Sequence, residues 1–231
     1  MAKAVSRGIV SRFIVACIKL FVALVIVSVL WVLVYAIMPV PVTTTMLMDE
    51  KGITKDWEPL SNIDRDIVRA VIAAEDGKFC SHDGFDREAI EKAIAKNAQG
   101  GRIRGGSTIS QQTAKNAFLW QGGGYFRKGL EAWFTFLIEK VWGKRRIMEV
   151  YLNIAETGIG TYGVEAGSIR YFGHSADRLT TTEAARMAAA LPLPKKRSVK
   201  NPSGWLARHG NTIRGRIGVV ARDGLDSCVY D

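Results

Sequence analysis

Residues 75–79 read Glu-Asp-Gly-Lys-Phe, and residues 105–116 read Gly-Gly-Ser-Thr-Ile-Ser-Gln-Gln-Thr-Ala-Lys-Asn. The first stretch ends a helical stripe, because Ile67 and Val71 precede Glu75 at four-residue steps and project to the same side. The second stretch starts with a glycine pair and continues with hydroxyl, amide and ammonium groups at helical spacing. Together they predict two helices, one ending in a carboxylate and one beginning at a glycine hinge.

The rest of the chain beyond residue 60 has the same helical character. Ser61 is expected to N-cap the helix that ends at Glu75, and Thr180 and Glu183 have the spacing of a capping box. Further amphipathic helices are expected at 87–97, 107–119, 125–142, 145–156, 164–172, 181–191 and 205–220. Because no convincing run of alternating strand residues occurs, the fold is predicted to be mainly α with at most a small sheet element.

The N-terminal region has the pattern of a membrane anchor. Residues 1–19 form a basic tail, and the uncharged residues 20–38 would make a helix about 28 Å long, close to the roughly 30 Å hydrocarbon thickness of a bilayer. The positive tail predicts a cytoplasmic N-terminus and a periplasmic domain. A linker is expected at 39–59, and the domain is expected at 60–231. A cleaved signal peptide is the alternative, but the apolar run is long and no clear cleavage site follows it.

Charge and cysteine content narrow the classes of function. The net charge is +10, and the excess beyond the tail suits anionic headgroups or a bound pyrophosphate; nucleic acid does not fit a periplasmic domain. The three histidines show no ligand spacing, so no metal site is predicted. Cys80 and Cys228 are candidates for a disulfide in an oxidising compartment, but spacing does not establish connectivity and unpaired thiols are favoured.

Glu75 is the candidate for acid–base chemistry. A carboxylate that extends an apolar stripe is costly unless it is paired or borders a cleft, and partial burial raises its pKa toward the range useful for proton transfer. From this stretch alone, a solvent-exposed glutamate at a helix end is the commoner interpretation, because perturbed carboxylates are uncommon. His82 is likewise more often a structural residue.

The second stretch predicts an anion-binding helix. Ser107 or Thr108 can cap it, and the free N–H groups and the helix dipole attract phosphate. Thr108, Gln111 or Gln112, and Lys115 recur at three- or four-residue steps, so they share one face. The alternative is a polar face in solvent, although two adjacent glutamines without interspersed acids favour a hydrogen-bonding face.

The following helix begins with Arg127 and Lys128 and carries Glu131 one turn later. The pair of Arg127 and Glu131 is either a surface salt bridge worth about 0.3–0.5 kcal/mol, or part of a site that binds a leaving pyrophosphate and the reacting sugars. Aromatic residues at 118–120, 125–126 and 133–136 lie around the triple glycine 122–124. They predict a membrane-interface contact, with core packing as the alternative.

Taken together, these segments resemble the five motif regions of the bacterial peptidoglycan glycosyltransferases, in their monofunctional form. The motif regions are 75–84, 105–116, 127–131, 144–153 and 182–192, and the resemblance covers nearly all of 60–215 in order. It implies a mostly helical, lysozyme-like domain with a smaller membrane-facing lobe, preceded here by one transmembrane helix. Cys80, where the family often has an aromatic residue, and Ser110, where it usually has threonine, are departures.

The resemblance implies polymerisation of lipid II into β-1,4-linked glycan strands. Glu75 would be the general base that deprotonates the 4-hydroxyl of the lipid II GlcNAc. That oxygen attacks C1 of the MurNAc at the reducing end of the growing chain, with inversion, and undecaprenyl pyrophosphate leaves. Glu131 would be the second catalytic glutamate of the family, which positions the substrate or assists departure of the leaving group. The substrate-binding positions implied by the match are Asp76, Phe79, His82, Ser107, Thr108, Gln111, Gln112, Lys115, Asn116, Arg127 and Lys128.

The resemblance also sets the expectations for cofactors and partners. No cofactor is expected to be required, although some members of the family use Mg²⁺ or Mn²⁺ at the pyrophosphate. The expected partners are lipid II, the polyprenyl-pyrophosphate-linked glycan, the membrane and other proteins of cell-wall synthesis or division. Two alternatives remain, a membrane-anchored lytic enzyme and a non-catalytic scaffold. The basic residues disfavour the first, because a lytic enzyme has no pyrophosphate to bind, and intact Glu75 and Glu131 disfavour the second.

Overall fold

The computed structural model describes the backbone of residues 2–98 and 106–230, with the side chains of residues 10–93, 95 and 106–230. Gly105, the first residue of the glycine hinge, lies outside these ranges. The chain divides into two compact units, Met1–Met38 and Pro39–Asp231.

The first unit is one long helix, α1 (Ala2–Ile37). Its part Val10–Ile37 is long and apolar enough to cross a membrane. The helix begins at Ala2, so the basic tail is helical as well. It ends two residues before Pro39, as expected because a proline disfavours the helical conformation of the residue before it.

The second unit is mainly α, which confirms the predicted fold class. Its helices are α2 (Thr44–Leu47), α3 (Arg65–Glu75), α4 (Arg87–Ala98), α5 (Ile109–Phe118), α6 (Gly124–Val141), α7 (Gly143–Ile154), α8 (Val164–Phe172), α9 (Thr181–Ala190), α10 (Gly204–Arg222) and α11 (Ser227–Tyr230). Short 3₁₀ turns lie at Leu60–Asn62, Phe79–Ser81 and Ala176–Arg178. The small sheet has the order β1-β3-β2, with β1 (Thr54–Lys55) parallel and β2 (Glu156–Gly158) antiparallel to β3 (Thr161–Tyr162).

The helix starts show which capping predictions were right. The box of Thr180 and Glu183 is confirmed at the start of α9. The prediction for Ser61 is wrong, because Asp64 caps α3 by accepting a hydrogen bond from the Asp66 N–H at 2.7 Å. Ser61 lies in the preceding 3₁₀ turn, and Ile63 then takes an extended conformation that separates this turn from the helix.

The segment 39–59, expected as an extended linker, is folded into the second unit. Val40 and Met46 are fully buried, and the Thr44 hydroxyl donates to the carbonyl oxygen of Leu119. The Lys55 ammonium donates to the Val40 carbonyl oxygen at 2.7 Å. Compact structure in this unit therefore begins directly after the apolar helix.

Two groups of helices form most of the second unit. In one group α3 packs against α9 and α10, and in the other α5 packs against α6 and α7. The buried stripe of α3 includes Ile67 and Val71, as its spacing predicts. Phe118 of α5 stacks on Phe134 of α6 with ring centroids 4.6 Å apart.

A disulfide joins the C-terminal segment to the turn after α3. Cys80 and Cys228 are bonded, with Cα atoms 5.4 Å apart across a sequence separation of 148 residues. The expectation of unpaired thiols is therefore wrong. The reason is tertiary: Arg145 donates to the Val229 carbonyl oxygen at 2.9 Å and so holds α11 beside this turn.

Candidate active site

Glu75 is the last residue of α3 and borders the main cleft. This cleft has a volume of about 530 Å³ and is also lined by Gly106, Ser107, Gln111, Gln112, Lys115, Glu131 and Pro192. Val71 and Ile67, one and two turns earlier, are fully buried, whereas Glu75 is half-buried. The apolar stripe of α3 therefore ends at the wall of a cavity, and the solvent-exposed interpretation of Glu75 is wrong.

The carboxylate of Glu75 is oriented by α5. The side-chain amide nitrogen of Gln112 donates to its Oε2 atom at 2.9 Å. Burial raises the pKa of Glu75, while this hydrogen bond and the positive charge of Arg197 act in the opposite direction. A carboxylate with a raised pKa that remains hydrogen-bonded to a neutral donor is suited to accept a proton from a bound hydroxyl.

Asp76 and His82 join the end of α3 to the start of α5. The carboxylate of Asp76 accepts a hydrogen bond from the Ile109 N–H at 3.0 Å and lies 3.0 and 3.1 Å from Nε2 of His82. The Gly84 N–H donates to Nδ1 of His82 at 3.1 Å. The proton of a neutral His82 ring is therefore assigned to Nε2, which donates to Asp76.

The expected substrate-binding residues of the first motif fall into two groups, those that line a cavity and those that do not. Asp76 lines a smaller chamber of about 140 Å³ that also includes Glu75, Ser107 and Thr108. Phe79 is fully buried, beneath the Lys144 ammonium at 4.6 Å and beside the His82 ring. Phe79 and His82 line neither this chamber nor the main cleft and support the loop from behind.

Residues at neighbouring positions of helix α5 have two different purposes, because some cap the helix and others line a cavity. Thr108 caps it and also donates to the Gly84 carbonyl oxygen, while the side chain of Gln111 completes the capping box. Gln112 and Lys115 line the main cleft, and Asn116 lines a side cavity of about 360 Å³ that adjoins it. Of the residues predicted to share one face, Thr108 therefore caps the helix, and Gln112 and Lys115 line the cleft. Gln111 does both.

A cluster of charges closes the other side of the main cleft. Glu131 is 3 % exposed and forms ion pairs with Arg127, at 2.6 Å, and with Lys128. Burial lowers the pKa of Lys115, and the charges of Arg127 and Lys128 lower it further, whereas Glu131 raises it. Glu131 thus lines the cleft and holds Arg127 beside it, and because both side chains of this pair are largely buried, the surface salt-bridge interpretation is wrong.

Five residues near the site had not been given a role from the sequence. The Tyr151 hydroxyl lies 3.4 Å from Oε1 of Gln112, and Arg197 interacts electrostatically with Glu75. In the side cavity, the Lys195 ammonium lies 3.4 Å from Glu156 and 3.0 Å from Asp49. Lys195 and Arg197 could have been found from the sequence, because they belong to the basic run Lys195-Lys196-Arg197 that follows two prolines.

The aromatic residues around the triple glycine fall into two classes. Phe118 is 4 % exposed and Phe134 is also buried, so both belong to the core. Trp120, Tyr125 and Phe126 are 38 %, 97 % and 74 % exposed. The core alternative is therefore right for Phe118 and Phe134, whereas these three residues and Phe136, which is 49 % exposed, present apolar surface.

Across residues 2–98 and 106–230, no group of three or more His, Cys, Asp or Glu side chains is arranged to hold a metal ion. The main cleft offers two carboxylates, and Glu131 is already bound to two cations. Its donor chemistry suits an anionic ligand with hydroxyl groups better than a resident divalent cation.

Comparison with known proteins identifies the family of this chain. A family model described as transglycosylase matches residues 42–216. A biosynthetic peptidoglycan transglycosylase from Caulobacter vibrioides is 52 % identical over 91 % of this chain and 93 % of its own. Proteins of the same name from Rhodospirillum centenum and Pseudomonas putida are 49 % and 48 % identical, over 78 % and 81 % of this chain and 78 % and 83 % of their own.

The helical fold, the half-buried Glu75 and the cationic wall define a glycosyltransferase. The match over most of the domain shows that the chain belongs to the transglycosylase family. The resemblance read from the five motif regions is confirmed.

Proposed function

We propose that this enzyme polymerises lipid II into linear β-1,4-linked glycan strands during bacterial cell-wall synthesis, with Glu75 as the general base. One observation carries the proposal: a half-buried carboxylate with a raised pKa lines the same cleft as Lys115 and as Glu131, which holds the cations Arg127 and Lys128. The names of the relatives at about half identity support the same activity.

In this reaction Glu75 removes the proton from the 4-hydroxyl of the lipid II GlcNAc. The oxygen forms a bond to C1 of the terminal MurNAc of the growing strand, and the bond from C1 to the pyrophosphate oxygen breaks. The pyrophosphate leaves with the electron pair and its polyprenyl chain. The hydrogen bond from Gln112 supports this assignment, because it orients the carboxylate without supplying a formal charge.

The charge of the leaving pyrophosphate is balanced by Lys115, Arg127 and Lys128. We assign Glu131 to holding the heads of Arg127 and Lys128, because its two oxygens are already engaged with them. Any Mg²⁺ or Mn²⁺ would then arrive bound to the pyrophosphate, since the paired Glu131 does not fit a resident cation site. Preformed cations in a partly buried cleft stabilise developing negative charge without reorganisation.

The apolar helix α1 is the proposed single-pass anchor in the cytoplasmic membrane, with a cytoplasmic N-terminus and a periplasmic domain. The disulfide of Cys80 and Cys228 supports this orientation, because disulfides persist in oxidising compartments. Trp120, Tyr125 and Phe126 are proposed to contact the membrane as a second, weaker attachment. Partners among other cell-wall proteins are proposed only on the resemblance.

The test is polymer formation from lipid II by the purified full chain in detergent. We expect glycan strands that are resolved by gel electrophoresis and degraded by a muramidase. Clearing of purified sacculi without polymer formation would instead identify a lytic enzyme. Absence of both activities, with wild-type folding confirmed by circular dichroism, would identify a scaffold.

A further inference from the structure

A second cavity lies between α9 and α10 and shares no lining residue with the cavities at Glu75. It has a volume of about 540 Å³ and includes residues of both helices and of the segment 200–203 that precedes α10. Ala185 and Leu206 form apolar parts of its wall, while most of the remaining lining is polar or positively charged. No step of the proposed reaction uses it.

Three cations line this α9–α10 cavity: Arg186, Lys200 and Arg214. No carboxylate in the described part of the chain lies within 4.0 Å of any of these three side chains. Other cations of the same unit, such as Arg69 and Lys144, have carboxylate partners. The positive charge of this cavity therefore has no internal counterion.

The surrounding sequence explains why no counterion is available. Residues 184–222 contain nine Lys and Arg residues and no Asp or Glu. Clustered like charges repel, so they persist at low cost either when fully solvated or when an external anion joins them. Arg208 and Arg216 on α10 are exposed and outside the cavity, which is the solvated case. Lys200 and Arg214 are exposed as well, but they share a concave wall with the half-buried Arg186, and this convergence of three cations favours an external anion.

The N-terminus of α10 also favours binding of an anion in this cavity, although it carries no formal charge. Ser203, the N-cap residue of this 19-residue helix, lines the cavity and makes no side-chain capping hydrogen bond. Free N–H groups and the helix dipole at such an end favour an anion. Thr182, Asn201 and Asn211 place further hydrogen-bonding groups in the same wall.

We propose that the α9–α10 cavity is a binding site for a phosphate-bearing anion, separate from the active site. A single carboxylate would leave two of the three cations uncompensated, whereas a phosphate group carries more charge and three or more acceptor oxygens. The phosphate can belong to a soluble anion or to the headgroup of an anionic phospholipid. Both present the same chemistry to Arg186, Lys200 and Arg214.

The test is calorimetric titration of the full chain in a neutral detergent, with inorganic phosphate and with short-chain phosphatidylglycerol. The cavity variant is Arg186→Gln/Arg214→Gln. Its matched control is Arg208→Gln/Arg216→Gln, which removes the same charge from outside the cavity. A third variant, Lys115→Met/Arg127→Met, removes binding at the proposed donor site.

We expect binding to weaken by about tenfold or more in the cavity variant, because the removed cations no longer form charge-assisted hydrogen bonds with the ligand. The control variant and the donor-site variant should both still bind the ligand at the cavity with wild-type affinity. Tighter binding of phosphate identifies a soluble ligand, and tighter binding of phosphatidylglycerol identifies a lipid headgroup. The proposal is overturned if the cavity variant and the control variant bind equally well. It is also overturned if neither ligand binds at the cavity. Should the double variant fail to fold, Lys200→Gln in the exposed segment carries the same test.

Discussion

The side-chain amide of Gln112 and the carboxylate of Glu75 are joined by a hydrogen bond of 2.9 Å between α5 and α3. A second link follows directly, because Asp76 accepts the Ile109 N–H at the first turn of α5. The orientation of the proposed base is thus set by a helix that lies more than thirty residues away in sequence. Gln112 and Glu75 consequently form one functional unit.

Replacing Gln112 by methionine should move the acid limb of the pH–rate profile to higher pH. The hydrogen bond from Gln112 lowers the pKa of Glu75, so its removal leaves burial less opposed and raises that pKa further. A base must be ionised to act, and the ionised fraction at a given acidic pH falls as its pKa rises. The measurement is kcat/KM for lipid II polymerisation against pH. Gln121→Met, which removes a glutamine that bonds to Thr45, should leave the limb in place.

Glu75→Gln should abolish turnover without lowering stability at pH 7. Loss of a general base costs about 10²–10⁴-fold in rate. The pKa of Glu75 is raised above its ordinary value of 4.5, so its stabilising contribution is fully present below that value and is lost as pH rises through the folded pKa. At neutral pH the neutral amide should therefore fold as well as the carboxylate or better. Thermal melting of both proteins checks this, and a fully active, folded Gln variant would remove Glu75 from the mechanism.

Lys115→Met and Arg127→Met should each weaken binding of a phosphoglycolipid inhibitor such as moenomycin by about tenfold, because each removes a charge-assisted contact from a partly buried site. Lys140→Met is the matched control, since this exposed lysine of α6 lies outside the cleft. Fluorescence polarisation with a labelled inhibitor measures the effect. Wild-type affinity in both cleft variants would relocate the donor site.

Cys80→Ser/Cys228→Ser should destabilise the protein by about 2–5 kcal/mol, as expected when a disulfide that closes a long loop is lost. The double variant should melt at the temperature of the reduced wild type, and reducing agent should not lower it further. Cys17→Ser is the control, because Cys17 is a free, exposed cysteine of α1. A reductant effect that persists in the double variant contradicts the pairing.

A chain that begins at Pro39 should bind lipid vesicles through the exposed aromatic residues. The chain should begin no later than Pro39, because Val40 is buried and its carbonyl oxygen accepts a hydrogen bond from Lys55. Changing Trp120, Tyr125 and Phe126 to Ser should weaken binding more than tenfold, since each buried aromatic contributes about 1.5–3 kcal/mol. Phe118→Ser should instead lower thermal stability, because its ring is stacked in the core. Unchanged binding in the triple variant leaves the aromatic contact without support.

Local sequence was sufficient for the features that depend on short-range physics. The helical period of Ile67, Val71 and Glu75 predicted the buried stripe of α3, and the Thr180–Glu183 spacing predicted a cap that formed. The family resemblance then pointed to Glu75, Lys115 and Arg127, which line or adjoin the main cleft. Each of these signals lies within a few helical turns of the residue it concerns.

The tertiary structure decided what depends on contacts between distant segments. Whether Glu75 is solvated or half-buried depends on α5, and whether Cys80 is free or bonded depends on where α11 lies, 148 residues further along the chain. Phe79 and His82 belong to motifs that suggested ligand contacts, yet they pack behind the cleft. Residues 39–59 read as a linker until the burial of Met46 and the pairing of β1 with β3 placed them in the domain. Helical periodicity is set by neighbours in sequence, whereas burial, pKa and disulfide connectivity are set by neighbours in space.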